Sequence, residues 1–438
     1  MRGAVMDAKR TALYGRLLLT LAVIAASFLP ALHSPAEARV YIDITSPGFR
    51  QIPVAIYRLS GAGAGAEISD IIRDDLQFSG VFAYVDRDAY IETPLPVFDP
   101  SNWSPLGVEI VVKGSVSVDG DRLSATIYLY DVVEAKRLFQ KQYKAALRHL
   151  RPLAHTISND IYAAVTGASG VFRTKIAFIG QRDGRKGIYI MDWDGKRLQD
   201  TGVGGDLILS PHWSADGKRL IYSAARGRRW YIFLLDFKER KERLLVRSAG
   251  TNIAGDFLPD GSGFLFSSSK AGTPDIYLFD LRTSRQRRLT RWRGIEVSPS
   301  VSPDGKRVAF VSDHGGSPQV YVMDIGGGNV RRITFSGNYN TSPAWSPQGD
   351  RIAYSGRVYG KNQIFTVAPD GSDPLQLTDR GNNEEPSFSP DGRYITFTSD
   401  RDGARGVYIM RANGEAQKRI TARDIRAFGP RWSPKKIF

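Results

Sequence analysis

Over its last two-thirds the chain repeats one pattern, a polar turn followed by residues alternating between apolar and polar. SPHWSADGKRLIYS, AGDFLPDGSGFLFS, SPSVSPDGKRVAFVS, SPAWSPQGDRIAYS and EPSFSPDGRYITFTS are variants of one phrase, and GPRWSP opens a sixth. The bulky residue before the turn falls at Trp213, Phe257, Val301, Trp345, Phe388 and Trp432, at intervals of 44, 44, 44, 43 and 44 residues. A second, aromatic column keeps step at Tyr189, Phe233, Tyr277, Tyr321, Phe365 and Tyr408. A third is aliphatic, each member preceding Thr: Leu289, Ile333, Leu377 and Ile420. In SPDGK the Pro presets φ, the Asp bonds to the turn backbone, and the Gly takes the positive φ that closes it. RVAFVS and QVYVMD alternate at period two and predict strands. Four short strands in about 44 residues make one propeller blade.

The frame predicts how the ring closes. Lys175-Ile-Ala-Phe178 lies 132 residues, three periods, before Arg307-Val-Ala-Phe310, yet no SPDG phrase precedes it. One blade therefore lacks its first strand, while the chain ends on a first strand, around Trp432, without the rest of its blade. Joining the two predicts an all-β six-bladed propeller over 169–438, with four-stranded blades and no open sheet edge. An open solenoid would need polar caps, which these fragments are not.

Residues 39–168 follow other periods. VYIDI, PVAIY and FAYV predict strands, ISDIIRDDLQFS an amphipathic helix, EIVVKGSVSVDGDRLSATIYLYD a hairpin turning at Asp119-Gly120, and RPLAHTISNDIYAAVTG a closing helix. This is a small α/β domain ahead of the propeller. Residues 1–38 read as a cleaved signal peptide: Arg2, Lys9, Arg10 and Arg16, then the apolar run 17–32 broken by Pro30, then Ala36-Glu37-Ala38. No later stretch is apolar for long enough to span a bilayer, so an exported, soluble mature chain is expected.

Composition narrows the chemistry. Cysteine is absent from the 438 residues, which excludes disulfides, thiol nucleophiles and Cys-based metal sites. Lys+Arg number 60 against 45 Asp+Glu. The leader carries four basic and two acidic residues, so its removal lowers the net charge from +15 to +13. The five histidines, His33, His149, His155, His212 and His314, form no paired ligand motif, and no G-x-S-x-G occurs. Gly61-Ala-Gly63-Ala-Gly65-Ala66 fits a dinucleotide fingerprint with Asp86 downstream, but the hairpin that follows is not a second βαβ half. The repeated Asp216, Asp260, Asp304 and Asp391 belong to the turns rather than to catalysis. The run Arg282, Arg285, Arg287, Arg288, Arg291 and Arg293 has only Trp292 interleaved, and reads as a charge-protected sheet edge rather than a nucleic-acid face.

Together the leader, the α/β domain and six SPDGK-bearing blades closed by PRWSP resemble the TolB family of the Tol–Pal system. NWSPLGVEIVVKG (102–114), HTISNDIYAAVTGASGVFRTKIAFI (155–179) and SPAWSPQGDRIAY (342–354) carry the resemblance. It implies a non-enzymatic, monomeric periplasmic adaptor that supports outer-membrane integrity and constriction at division. Its implied partners are the lipoprotein Pal, at the propeller mouth, TolA, at the mature N-terminal segment, and other outer-membrane proteins. The family also associates calcium with the propeller channel, and no ligands are assigned to it here.

The family's Pal-facing loop matches at Asn252 and Ala254, whereas its histidine position reads Thr251. Its N-T-E-P phrase is replaced by Ile295-Glu296-Val297-Ser298 and resembled one blade later by Asn340-Thr341. Repeat equivalence adds Glu296, Asn340, Thr341, Asn383 and Glu384 to the expected Pal surface. The TolA segment maps to Arg39, Val40, Tyr41, Ile42 and Asp43, an alternating stretch able to pair as an edge strand or lie along the domain junction; Arg39 departs from the acidic first residue of the family. Two other classes remain: a propeller subunit of a serine exopeptidase, for which no hydrolase domain is encoded, and a polyanion-binding propeller resting on the +13 charge.

Overall fold

The computed structural model describes residues 50–93, 97–182, 184–205 and 207–434. The leader and residues 39–43 lie outside them. Strand β1 (Ile52–Ile56) leads to helix α1 (Ala62–Ser79) and strand β2 (Phe82–Tyr84), then come β3 (Ile110–Asp119), β4 (Arg122–Asp131), β5 (Lys136–Ala146) and helix α2 (Leu150–Thr166). The sheet order is β2-β1-β3-β4-β5. β1 runs parallel to β2 and β3, and the rest is antiparallel. One face is covered by the two helices, through Ile68, Ile72 and Leu76 of α1 and Ile157 and Ile161 of α2.

Helix α1 begins six residues before the apolar period that predicts it, because the Gly-Ala segment is its first turn. Gly61 caps it at φ 108°, and a Cβ on Gly65 would stand 2.4 Å from the Leu59 carbonyl oxygen. These glycines let the helix sit against β1 and β3, which disposes of the nucleotide fingerprint. Strand β5 is a further element, masked in the sequence because its outward face is Lys, Arg and Gln. Trp103, from the NWSPLG stretch, is buried against Tyr57 and Tyr90. Beside it the buried Lys113 reaches Glu92 and the Val97 carbonyl.

The remaining strands form six four-stranded antiparallel sheets. Blades 1 to 5 span 208–246, 252–288, 296–332, 340–376 and 383–419, and blade 6 joins strand Arg426–Trp432 to the strands of 175–204. The predicted closure is present: Arg426 pairs with Gln181 and Trp432 with Ile176. Trp432 Nε1 donates to Thr174 Oγ1 at 2.7 Å, and Ser433 N to the Lys175 carbonyl at 2.9 Å.

Each predicted column has a structural role. The aromatic column pairs across strands in every blade: Phe178–Tyr189, Tyr222–Phe233, Phe266–Tyr277, Phe310–Tyr321, Tyr354–Phe365 and Phe397–Tyr408. Such pairs are worth roughly 0.2–1 kcal/mol each. In the turns, Asp304 Oδ1 accepts from Lys306 N at 3.0 Å and from Ser302 Oγ. Asp216 does the same, and the turns hold these acids as expected. The innermost strands share a bulge, with Ser210, Ser298, Ser342, Glu385 and Gly429 at φ 52–62°, each followed by Pro. Blade 2 has Ala254-Gly255 instead, and a Cβ on Gly255 would meet Pro299 at 2.6 Å.

The arginine run stitches blades together as well as charging an edge. Arg287 donates to the Ile325 and Gly326 carbonyls of the next blade, Arg288 pairs with buried Asp275, and Arg331 repeats the first contact on the Pro369 carbonyl. Among the described residues no helix is long and apolar enough to cross a membrane.

Candidate functional site: the propeller mouth and the domain junction

The α/β domain occupies one end of the propeller. Phe78 stacks on Tyr394 and packs on Trp193, Lys418 lies over the Phe78 ring, and Tyr394 Oη donates to the Ser79 carbonyl. Tyr394 starts the second strand of blade 5, whereas Asn383 starts the first and pairs with Ser399 at the far end of that second strand. The ends at which the inner strands begin therefore form the opposite mouth, clear of the α/β domain.

The expected Pal residues all map to the innermost strands, but most of their side chains point inward. Asn252 is buried, donating to the Trp230 and Ser248 carbonyls at 2.9 and 2.8 Å. Buried Asn340 donates to Gln319 Oε1 and the Ser336 carbonyl, and buried Asn383 to Gln363 Oε1 and the Arg380 carbonyl. These amides pin the loops entering the inner strands. Ala254 is packed in the core shared by blades 1 and 2 and lines the channel. Thr341 and Glu384 are partly exposed.

Glu296 takes the place of the asparagine in blade 3 and is also buried, and Asp275 takes the place of the glutamine. One side chain is a methylene longer and the other a methylene shorter, so two carboxyls stand where the sibling blades hold an amide pair. Burial pushes the Glu296 carboxyl up to about 7, Asp275 and Asp313 push it the same way, and Ser312 Oγ and Arg288 oppose them.

The accessible part of the mouth is built by residues that the repeat arithmetic passes over. Tyr359, at the tip of a blade 4 hairpin, is fully exposed. Arg357 in the same hairpin lies 4.0 Å over the Tyr339 ring. Glu384 Oε2 pairs with Arg405 at 2.9 Å, and its Oε1 accepts from Asn362 at 2.7 Å. The available signal was that NYN and VYGK depart from their counterparts in other blades.

Behind the mouth, a channel cavity of about 500 Å³ is lined by the bulged strands. His212 and Asp256 meet there at 2.8 Å, and Asp256 Oδ2 accepts from Ser300 Oγ and Val301 N. Burial and Arg431 keep the His212 pKa below its ordinary value. Glu385 Oε2 accepts from Gly429 N and Thr398 Oγ1. A calcium ion takes six to eight oxygens. Among the described lining residues only Asp256 and Glu385 carry carboxylates, and Arg431 stands beside Asp256, so no calcium ligand set is assigned to the channel.

At the domain junction a cleft of about 1020 Å³ opens between β5, α2 and blades 6 and 1. His155 of α2 stands on its wall, with Nδ1 2.7 Å from Asp75 Oδ2 of α1. Burial disfavours its charged form, but Asp75, Asp194 and Asp192 outweigh this and raise its pKa. Asp194 pairs with Arg151, and Asp192 with Lys175.

Residues 162–436 match the family model described as TolB beta propeller domain, and 40–138 the TolB amino-terminal domain. A Tol-Pal system protein TolB from Polaromonas sp. (strain JS666 / ATCC BAA-500) is 35% identical over 230 residues, 52% of this chain and 54% of that one. The Pasteurella multocida (strain Pm70) protein of the same name is 32% identical over 227 residues, 49% and 50% of the two chains. The chain thus spans about half the length of the curated relatives it matches. The crystal structure of TolB from Acinetobacter baumannii superposes with a TM-score of 0.81 at 29% identity, covering 88% of this chain and 97% of that one. With both family models matched in order and the propeller model alone spanning more than half of the sequence, the chain belongs to the TolB family.

Proposed function

We propose that this protein is a non-enzymatic periplasmic adaptor of the Tol–Pal system, binding Pal at the mouth opposite the α/β domain and TolA through residues 39–43. Family membership supports the general role. The observation that carries the Pal reading is the exposed Tyr359 and Arg357, the latter stacked on Tyr339, beside the half-buried Glu384–Arg405 pair, on the mouth the α/β domain leaves open. Tyrosine and arginine are the side chains that most often dominate protein interfaces. The buried Asn252, Asn340 and Asn383 then act by fixing the loops, and Thr341 and Glu384 by contact. A role in outer-membrane integrity and cell constriction follows from those two partners.

Calorimetry of the mature chain with purified Pal tests the reading. Tyr359→Ala and Arg405→Ala should each weaken binding by about tenfold or more, near the 1.4 kcal/mol expected of an interface anchor. Their melting temperatures should stay near wild type, since neither is in a core cluster. Undiminished binding by both variants would remove this mouth from consideration. A steep salt dependence with nucleic acid and no response to Pal would favour the polyanion-binding alternative.

A further inference from the structure

His155, Asp192 and Asp194 bring one ligand atom each to within 4.8 Å of one another at the domain junction. His155 and Asp192 are buried, and both carry an atom with no hydrogen-bond partner: Nε2 of the imidazole and Oδ2 of the carboxylate. The Asp75 carboxylate accepts the Nδ1 proton, which turns Nε2 toward Asp194 Oδ2, 3.9 Å away. A histidine whose other ring nitrogen is held by a carboxylate is the usual outer-shell arrangement around a protein-bound metal.

We propose that His155 Nε2, Asp192 Oδ2 and an Asp194 carboxylate oxygen form a binding site for a divalent transition-metal ion of the zinc type, joining helix α2 to blade 6. The donor set of one imidazole nitrogen and two carboxylate oxygens suits zinc and its neighbours rather than calcium or magnesium, which take oxygen throughout. Ligand atoms held at about 2.0–2.2 Å around a tetrahedral ion stand roughly 3.3–3.6 Å apart, so the site closes with a shift of about 1 Å. His155 and Asp192 line the junction cleft, which supplies the entry path.

Charge alone does not recruit the ion. Arg151, Lys175 and Arg197 flank the two aspartates, and Arg173 and Lys418 face them from further out. The drive is the unshared nitrogen lone pair, which the ion takes in place of a proton. A hard cation, drawn by negative charge, finds no excess of it here. Lys175 holds Asp192 Oδ1, Lys196 N donates to Asp194 Oδ1 at 3.0 Å, and Arg151 Nη2 donates to Asp194 Oδ2 at 2.5 Å, an oxygen the ion would share with that guanidinium.

The test is titration of the full mature chain with Zn²⁺ by calorimetry in a non-coordinating buffer, with Co²⁺ absorption as the spectroscopic signature. One ion per chain is expected, together with a raised melting temperature. His155→Gln should abolish both. Asp75→Asn leaves all three ligands in place and should weaken binding by about 10–100-fold, the usual effect of losing such a partner. It keeps the inference testable should the glutamine variant fail to fold. His149→Ala, a histidine elsewhere on the cleft wall, should bind as wild type. Absence of stoichiometric binding, equal binding by His155→Gln, or an equal response to Ca²⁺ would overturn the site.

Discussion

Ring closure is the step on which the propeller depends, and Trp432 offers the sharpest probe of it. Its side chain is buried near the end of the described chain, stacked with Tyr394 and hydrogen-bonded through Nε1 to Thr174 Oγ1. A tryptophan buries roughly 200 Å², which at about 25 cal/mol per Å² gives about 5 kcal/mol as an upper figure. Aromatic truncations in cores cost about 3–5 kcal/mol, so Trp432→Ala should fall in that range. Thr174 Oγ1 keeps its own 2.6 Å bond to the Val171 carbonyl, so no stranded donor adds to the cost. Trp432→Phe retains most of the area and should lose only about 1 kcal/mol with the hydrogen bond. Trp213→Ala, at the equivalent place in blade 1 and bonded to the Arg431 carbonyl, is the internal control. Urea unfolding followed by far-UV circular dichroism gives the three values. In a closed ring the two alanine variants lose comparable stability; in an open array the last strand frays and its residues contribute little. A loss below about 1 kcal/mol for Trp432→Ala beside several for Trp213→Ala would refute closure.

The propeller was legible because its period is written in large side chains. Each column residue has a single geometric job, repeated with a fixed step, and a fragment at either end shows which strand is missing. The mouth was legible only as a location. Repeat equivalence finds positions that every blade shares, and shared positions are those the blade needs for itself. Asn252, Asn340 and Asn383 recur because each pins a loop with two backbone or amide bonds, so they are buried. The proposed contact surface lies where blades differ, at Tyr339, Arg357 and Tyr359, and a period cannot point there. Strand β5 escaped for another reason: a solvated edge strand shows no apolar alternation. The His155 cluster joins residues of α1, α2 and blade 6 that are far apart in sequence, and only the packing of the two domains brings them together.

Gly65→Ala should destabilise the α/β domain despite the about 1 kcal/mol that alanine gains over glycine in a helix, because its Cβ meets the Leu59 carbonyl oxygen at 2.4 Å; urea unfolding measures it. Deleting residues 39–43 should abolish TolA binding, leave the propeller's circular dichroism unchanged and make Pal affinity independent of TolA, as linkage between two sites requires; normal TolA binding by the deletion would exclude that segment. The carboxyl pair between blades 2 and 3 gives the pH dependence. Glu296 titrates at about 7 in the folded chain against an ordinary 4.5. Between those values the folded state holds a proton that the unfolded state has released. Stability conferred by that protonated carboxyl is therefore present at low pH, declines as pH rises through the window, and is gone above about 7.5. At about 1.4 kcal/mol per unit the decline is on the order of 2 kcal/mol. Glu296→Asn combined with Asp275→Gln recreates the amide pair of blades 3 to 5, Gln319–Asn340 and Gln363–Asn383, with the side-chain lengths restored. Asp275→Gln also removes the partner of Arg288, and the histidines titrate alike in both proteins, so the comparison rests on how each midpoint changes with pH and not on absolute stability. The drop in urea midpoint from pH 5.5 to pH 8.0 should be smaller in the double variant than in the wild type. If the wild type and the double variant show the same change between the two pH values, the carboxyls do not share the environment described here.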